Sequence, residues 1–136
     1  MLRLLGAGFL LVAMASSASA ALYTCTVQEQ GGRTGWVPQN VTIAFTDDGG
    51  ILVSDTIGLA VMGEPQPGEL LNESSSIIAI KWNVVSARSS SNQNARFSYT
   101  ATIDKAKRTL RLRAKPLGYA NSFRGVGRCA VTEIPS

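Results

Sequence analysis

Basic and apolar residues alternate in the stretch TLRLRAK, which covers residues 109–115. In a β-strand, the two leucines and Ala114 would face one side, and Arg111, Arg113 and Lys115 would face the other. Side chains two residues apart on a strand lie roughly 7 Å from one another, so such a row could hold a polyanion. We predict an anion-binding surface here. Basic residues on the neighbouring turn, strand and loop would extend it: Arg96, Lys107, Arg108 and Arg124.

The charge of the chain is divided unevenly between its two halves. Residues 21–87 contain two basic and seven acidic side chains, a net charge of −5, whereas residues 88–136 contain ten basic and two acidic ones, a net charge of +8. This asymmetry indicates an anionic partner, such as the phosphate of lipopolysaccharide, a teichoic-type polymer or an acidic protein. Nucleic acid is not expected, because few aromatic residues interleave with the basic ones.

Two structural interpretations of the basic row stay open at this point. The charges could simply face water, where they would keep the protein soluble and discourage pairing at a sheet edge. The acidic first half of the chain could instead fold next to the basic second half.

Two loops indicate a second candidate surface. The polar stretch SARSSSNQN contains Arg88, and a later stretch, PLGYANSFRG, contains Tyr119, Asn121 and Phe123. Aromatic and arginine side chains are typical anchors of protein interfaces. The alternative function is therefore a protein-interaction or enzyme-inhibitor module that acts through these loops. The aromatic residues could equally cover one end of the core.

The chain offers little for catalysis or for binding a cofactor. It contains no histidine, which removes the commonest general base and the commonest metal ligand. Asp47 and Asp48 are adjacent, but tight turns favour aspartate for structural reasons. Asp55 continues the apolar phase that begins at Ile51, so an unbroken strand would point it inward, where a buried carboxylate could mark a ligand or catalytic position. We expect instead a bulge or turn at residues 54–56 to send its carboxylate outward. We predict a binding protein, not an enzyme, with no catalytic residue, metal or cofactor.

Residues 1–20 have the organisation of a secretory signal peptide. One basic residue precedes an apolar run of eleven residues, and Ala-Ser-Ala at positions 18–20 forms a cleavage site. The apolar run is shorter than the roughly 20 residues that a membrane-spanning helix requires. We expect cleavage before Ala21. Residues 21–136 would then be a single domain, exported to the periplasm or secreted, monomeric and without a membrane span.

Export also accounts for the cysteines. In an oxidising compartment an even number of cysteines most often forms disulfides, and Cys25 and Cys129 are the two in this chain. A redox-active dithiol usually shows the Cys-x-x-Cys spacing, which is absent from the sequence. We predict a structural disulfide between Cys25 and Cys129.

Period-two alternation of apolar and polar residues runs through most of residues 21–136. The segment Asp-Asp-Gly-Gly at 47–50 separates two alternating runs and is a strong hairpin signal. Segment 63–68 contains two prolines and is expected to be a loop. No stretch shows a sustained 3.6-residue apolar stripe. The pattern predicts an all-β fold, an antiparallel sandwich or small closed barrel of about 7–8 short strands with one disulfide.

Three segments resemble uncharacterised small, single-disulfide periplasmic proteins of Gram-negative bacteria: Tyr23-Thr24-Cys25, the aromatic strand at 96–103, and Gly125-Val126-Gly127-Arg128-Cys129. The resemblance covers most of residues 21–136 and implies a compartment but no activity. A more distant likeness is to the periplasmic inhibitors of C-type lysozyme, small disulfide-linked β-barrels whose Ser-Gly-x-x-Tyr loop enters the lysozyme cleft. The nearest segment in this chain, Ser86-Ala87-Arg88-Ser89, has neither the glycine nor the tyrosine.

Overall fold

The computed structural model describes residues 6, 8, 20–32, 34–85 and 96–134. These residues form nine strands and one short helix. In chain order the elements are β1 (Ala20–Glu29), β2 (Asn40–Phe45), β3 (Ile51–Asp55), α1 (Thr56–Met62), β4 (Gln66–Pro67), β5 (Glu69–Glu73), β6 (Ile77–Val85), β7 (Arg96–Asp104), β8 (Thr109–Pro116) and β9 (Phe123–Ile134). The predicted all-β antiparallel fold with one disulfide is confirmed.

The strands form one antiparallel sheet in the order β4-β3-β2-β1-β9-β8-β7-β6-β5. The two strands at the edges of this order, β4 and β5, are consecutive in the chain and are separated by Gly68 alone. The sheet therefore curls into a nearly closed barrel. This result decides between the sandwich and the barrel, which the alternation pattern leaves open.

Segment 66–73 forms the seam of the barrel, because β4 pairs with β3 on one side and β5 pairs with β6 on the other. The N–H of Gly68, between the two strands, donates a hydrogen bond of 2.9 Å to the carbonyl oxygen of Ile51. A Cβ at Gly68 would lie 2.7 Å from Cγ2 of Ile51, so only glycine fits here without displacement. The two prolines of segment 63–68 suggest a loop, but Pro67 belongs to β4, and the short strands β4 and β5 raise the strand number to nine.

Helix α1 also departs from the sequence pattern. Ile57, Leu59 and Val61 alternate as they would in a strand, but they belong to a seven-residue helix. The side chain of Asp55 caps its first turn, and Gly63, with a φ of 76°, ends it. A helix this short, capped at both ends, has no long apolar stripe to recognise. Within the residues described, no helix is long and apolar enough to cross a membrane.

The inward-facing side chains of the strands fill the barrel with one apolar core. The largest of those that are fully buried are Trp82, Tyr99, Ile43, Ile80, Ile103 and Leu110. Burying one large apolar side chain contributes about 1.5–3 kcal/mol to stability. The alternating sequence pattern therefore fixes which face of each strand points inward.

The pairing of β1 with β9 joins the first strand to the last. Cys25 lies directly opposite Cys129, and the two form the predicted disulfide. Near this bond the backbones approach so closely that a Cβ at Gly127 would overlap the carbonyl oxygen of Thr26. Glycine in a strand interior commonly marks such a close approach of two backbones in a curved sheet.

The two ends of the barrel carry different connections. Segment 30–32, segment 34–39, helix α1 and segment 117–122 lie at one end, which we call the helix end. The turns at 46–50, 74–76 and 105–108 lie at the other end, which we call the turn end. The wall between the two ends is the outer surface of the sheet, and the basic strand crosses it.

Candidate anion-binding site

Strand β8 alternates in the way that the sequence predicts. Its two leucines and Ala114 are buried in the core, whereas Arg111, Arg113 and Lys115 are exposed on the outer surface. β8 lies between β7 and β9 and is therefore an interior strand of the sheet. Its charges cannot protect a free strand edge, because β8 has none.

Cross-strand pairing aligns four outward-facing residues on four neighbouring strands: Arg124 on β9, Arg113 on β8, Thr100 on β7 and Lys81 on β6. Neighbouring strands are about 4.7–4.9 Å apart, so this row extends over roughly 14 Å. Arg113 and Arg124 lie directly opposite one another. Like charges in directly opposed positions destabilise a sheet. The sheet thus retains an unfavourable pair at its outer surface.

Acidic side chains do not neutralise this row. In the part of the chain that the structure describes, an ion pair joins Lys105 Nζ to Glu73 Oε1 at 3.3 Å, at the turn end, and none involves a cation of β8 or β9. Glu69 is opposite Lys81 in the register of β5 and β6, but the two groups are not within the 4.0 Å of an ion pair. The alternative that the acidic half of the chain folds next to the basic half therefore does not account for the arginines of β8. Among the described residues, no acidic side chain forms an ion pair with them.

We call the basic side chains on the outer surface of β6, β8 and β9 the basic face. Its members are Lys81, Arg111, Arg113, Lys115, Arg124 and Arg128. Two depressions lie on it. The narrow depression has a volume of about 180 Å³ and is lined by Lys81, Ser98, Thr100, Arg113 and Lys115. The wide depression has a volume of about 610 Å³, and its basic lining residues are Lys107, Arg111 and Arg128.

Two members of the basic face, Lys81 and Arg128, are absent from the residues that the sequence predicts. Lys81 belongs to the net acidic half of the chain, where a lone lysine gives no charge signal. Its position between two buried residues of β6 is the available signal, because it places Lys81 on the outer surface. Arg128 precedes the disulfide-bonded Cys129 and faces outward for the same reason of phase.

The other predicted basic residues lie towards the two ends of the barrel. Lys107 and Arg108 belong to the turn between β7 and β8, where Asp104 fixes the backbone. The Asp104 carbonyl accepts from the Arg108 N–H at 2.8 Å, and its carboxylate accepts from the Lys107 N–H at 2.9 Å. Arg96 begins β7 near the helix end and is exposed. Lys107 lines the wide depression, whereas neither Arg96 nor Arg108 lines the narrow or the wide depression.

The predicted partner loops are divided by the structure. Arg88 lies outside the described residues. Tyr119 is 66 % exposed and Asn121 is exposed, both at the helix end. Phe123 instead packs partly buried against the core, with its ring centroid 6.4 Å from that of Trp36. The loop therefore combines one core-covering aromatic with one that faces solvent.

Asp55 is buried, and the expectation that a bulge or turn sends it outward is wrong. Only 2 % of the residue is exposed. Its carboxylate accepts hydrogen bonds from the Gly58 N–H at 2.6 Å and from Nε1 of Trp82 at 2.9 Å. These two donors offset the cost of burying the charge. Across the described ranges, no group of three or more His, Cys, Asp or Glu residues could hold a metal ion.

The outer surface groups several kinds of side-chain hydrogen-bond donor on neighbouring strands. The basic face offers guanidinium and ammonium donors beside the hydroxyls of Ser98 and Thr100, all on rigid strands. Comparison with protein-family models, with curated proteins and with solved structures finds no match for this chain.

Proposed function

We propose that this protein is an exported, non-enzymatic binding module for an anionic component of the bacterial envelope, held on the basic face. The observation that carries the proposal is the direct opposition of Arg113 and Arg124 in the sheet, with no acidic partner within ion-pair distance among the described residues. A ligand that supplies negative charge would relieve this repulsion. Binding and local stability would then be coupled.

The position of the charges supports a ligand rather than a role in keeping the sheet from aggregating. Lys, Pro and bulges protect edges, but β8 and β9 are interior strands of the barrel wall. The charges of the basic face also gather on three strands, β6, β8 and β9, whereas the outer surface of β1 and β2 carries threonine, glutamine and asparagine. A surface that serves solubility alone has both signs of charge interspersed.

The proposed compartment is the periplasm. The signal-peptide organisation of residues 1–20 supports it. The disulfide supports it as well, because such bonds persist in oxidising compartments.

The test is co-sedimentation of residues 21–136 with vesicles that contain an anionic phospholipid or lipopolysaccharide, against vesicles of zwitterionic lipid alone. Binding is expected only with the anionic vesicles, and it should weaken steeply with added salt. The variant R111E/R113E should bind about tenfold more weakly or worse, because charge-assisted hydrogen bonds are lost.

A matched control separates the basic face from net charge. R111Q/R113Q and L52E/A60E lower the net charge by the same amount, but Leu52 on β3 and Ala60 on α1 are exposed positions away from the basic face. The first variant should lose binding and the second should keep most of it. Equal loss in both variants, or binding that ignores salt, would contradict the proposal.

A second candidate function is capture of a protein partner at the helix end. Three exposed apolar or aromatic side chains favour it: Trp36, Leu117 and Tyr119 are 41 %, 50 % and 66 % exposed. A partner bound there should be retained by R111E/R113E and lost by L117A/Y119A. The opposite pattern would exclude this candidate.

A further inference from the structure

We propose that the narrow depression is a seat for one phosphate-monoester group of the bound ligand, an inference that rests on the proposed function of the basic face. The depression lies between β6, β7 and β8 on the outer surface. A seat of this kind would give the basic face a preference for one chemical group at one position, beyond its general attraction for polyanions.

The register of three strands builds the seat. Thr100 lies opposite Lys81 on one side and opposite Arg113 on the other. Ser98, two residues earlier on β7, lies opposite Lys115. The two hydroxyl-bearing residues thus form the centre of the depression. The three cations flank it from both sides, with the backbones of Lys81 and Arg113 about 10 Å apart.

The lining residues match a dianionic tetrahedral group. Arg113 carries five N–H donors in a planar fork, and each lysine carries three. The hydroxyls of Ser98 and Thr100 add two more donors, and no carboxylate lines the depression. A phosphate monoester carries nearly two negative charges and three strong acceptor oxygens, so it can accept from the cations and from a hydroxyl at once. A phosphodiester has one charge and fewer free oxygens, and it fits this set less well.

The wide depression offers an internal comparison. It also presents three cations, Lys107, Arg111 and Arg128, but its volume is about 610 Å³ against about 180 Å³ for the narrow one. In the wide depression Arg128 lies opposite Thr109, and Arg111 lies opposite Val126, so its strand cations are not aligned in one cross-strand row. Lys81 and Arg113 of the narrow depression are aligned, on either side of Thr100. The two depressions therefore have the same number of cations but differ in how closely their hydrogen-bond donors converge on one point. Each depression serves as a control for the other.

The first test maps the site without changing the protein. Amide chemical shifts of residues 21–136 are followed by NMR during titration with glucose 6-phosphate, and separately with glucose. We expect saturable shifts, with the phosphate ester only, at Lys81, Ser98, Thr100, Arg113 and Lys115. Shifts centred on Arg111 and Arg128, or spread evenly over the basic face, would overturn the proposed seat.

The second test uses vesicles in which the anionic lipid is either phosphatidic acid, a phosphomonoester, or phosphatidylglycerol, a phosphodiester, at mole fractions that give equal surface charge. The proposal expects clearly tighter binding to the monoester, and equal binding at matched surface charge would overturn it. If glucose 6-phosphate shifts the mapped residues but does not displace the protein from the vesicles, the natural source is a lipid headgroup. If glucose 6-phosphate also displaces the protein from the vesicles, soluble phosphate esters qualify as ligands.

The variants T100V and T109V complete the test, because each removes one hydroxyl without changing charge or shape. Thr100 lines the narrow depression and Thr109 lines the wide one. T100V should weaken monoester binding about tenfold, whereas T109V should leave it within about twofold.

The single variants R113Q and R111Q remove equal charge from the two depressions and should differ in the same sense. If T100V has no effect on monoester binding and R113Q weakens it no more than R111Q does, binding depends on charge alone. The proposed seat is then wrong, although the proposal of an anion-binding face stands. If the unaltered protein binds no anionic vesicle at all, the proposed function itself fails.

Discussion

The indole Nε1 of Trp82 donates a hydrogen bond of 2.9 Å to the carboxylate of Asp55, and both residues are buried. Asp55 ends β3 and caps helix α1, whereas Trp82 lies in the middle of β6. β3 and β6 flank the seam of the barrel, where the two closing strands are two and five residues long. The hydrogen bond therefore ties the two sides of the seam together where strand pairing is shortest.

We predict that D55A strongly destabilises the fold. The change leaves the Trp82 N–H and the Gly58 N–H without their shared acceptor and removes the helix cap. The expected loss is about 2–4 kcal/mol in the free energy of unfolding, measured by urea denaturation. D55N should lose less, because its amide oxygen can still accept. D47A, in the exposed turn at 46–50, is the control. An equal loss of stability in D47A would show that the hydrogen bonds of Asp55 make no special contribution.

Alanine at Gly127 should also be severe, for a steric reason. Its Cβ would overlap the Thr26 carbonyl oxygen and push β9 away from β1. We expect a loss of about 3 kcal/mol or more, or failure to fold, as seen when well-packed backbones are forced apart. V126A, at the neighbouring exposed position, should cost little. Thermal melting of both variants makes the comparison, and a stable G127A would show that the two strands can separate without harm.

Reduction of the disulfide should lower stability without changing the fold. Cys25 and Cys129 are 104 residues apart in sequence but face each other on paired strands. The bond therefore acts chiefly on the unfolded chain, and its removal should cost about 2–5 kcal/mol. We expect the C25A/C129A variant to melt at a lower temperature with an unchanged far-ultraviolet circular dichroism spectrum at low temperature. Loss of the β-sheet spectrum at low temperature would mean that the bond is needed to form the native pairing.

Tyr99 should make the protein less stable in alkaline solution. Burial, and secondarily the nearby charge of Asp55, raise the pKa of Tyr99 well above its ordinary value of 10.0. The unfolded chain ionises first as pH rises, so the unfolded state binds fewer protons than the native state above about pH 10. The contribution of Tyr99 is therefore fully present below that pH and is lost progressively above it.

The measurement is urea denaturation of the unaltered protein and of Y99F across this alkaline range. Y99F also removes the hydrogen bond from the Tyr99 hydroxyl to the Trp36 carbonyl oxygen, so it should be less stable at neutral pH. Its stability should nevertheless fall less steeply with pH. Parallel curves for the two proteins would assign the alkaline loss to other groups.

Relief of the opposed arginines should stabilise the sheet while it weakens ligand binding. We expect R113T to gain about 0.2–1 kcal/mol at low salt, because Arg124 then faces a neutral residue, and to lose the gain as salt is added. R111T is the matched control, because Arg111 faces Val126 on β9 and no like charge is removed across that pair. Equal gains in the two variants would show that the general positive field, and not the Arg113–Arg124 pair, sets the stability.

The sequence predicts the sheet well because period-two alternation survives wherever one face of a strand is buried, as in β7 and β8. It predicts poorly where local chemistry replaces that pattern. Ile57, Leu59 and Val61 alternate inside a helix that Asp55 caps, and segment 66–73 pairs on both sides although it contains Pro67. Both departures occur at the barrel seam, where a few specific contacts outweigh propensity.

The candidate site is predictable only in part for a related reason. The alternation in β8 identifies Arg111, Arg113 and Lys115 as a row from sequence alone. Their neighbours depend on strand order and register, which bring Lys81 and Arg124 level with Arg113 from distant parts of the chain. No short-range pattern encodes that alignment, so the narrow depression becomes visible only in the folded barrel.

The antiparallel pairing of β1 with β9 has a mechanical consequence. Ala20 and Ile134 lie opposite one another at the turn end, so a force that pulls these two strand ends apart loads the hydrogen bonds of the pair one after another. Such unzipping passes five residue pairs, from Ala20–Ile134 to Thr24–Ala130, before it reaches the covalent bond between Cys25 and Cys129. In the oxidised protein, a force applied at these two strand ends separates only the five residue pairs before the disulfide. The part of the sheet that carries the basic face comes under tension only after the disulfide is reduced.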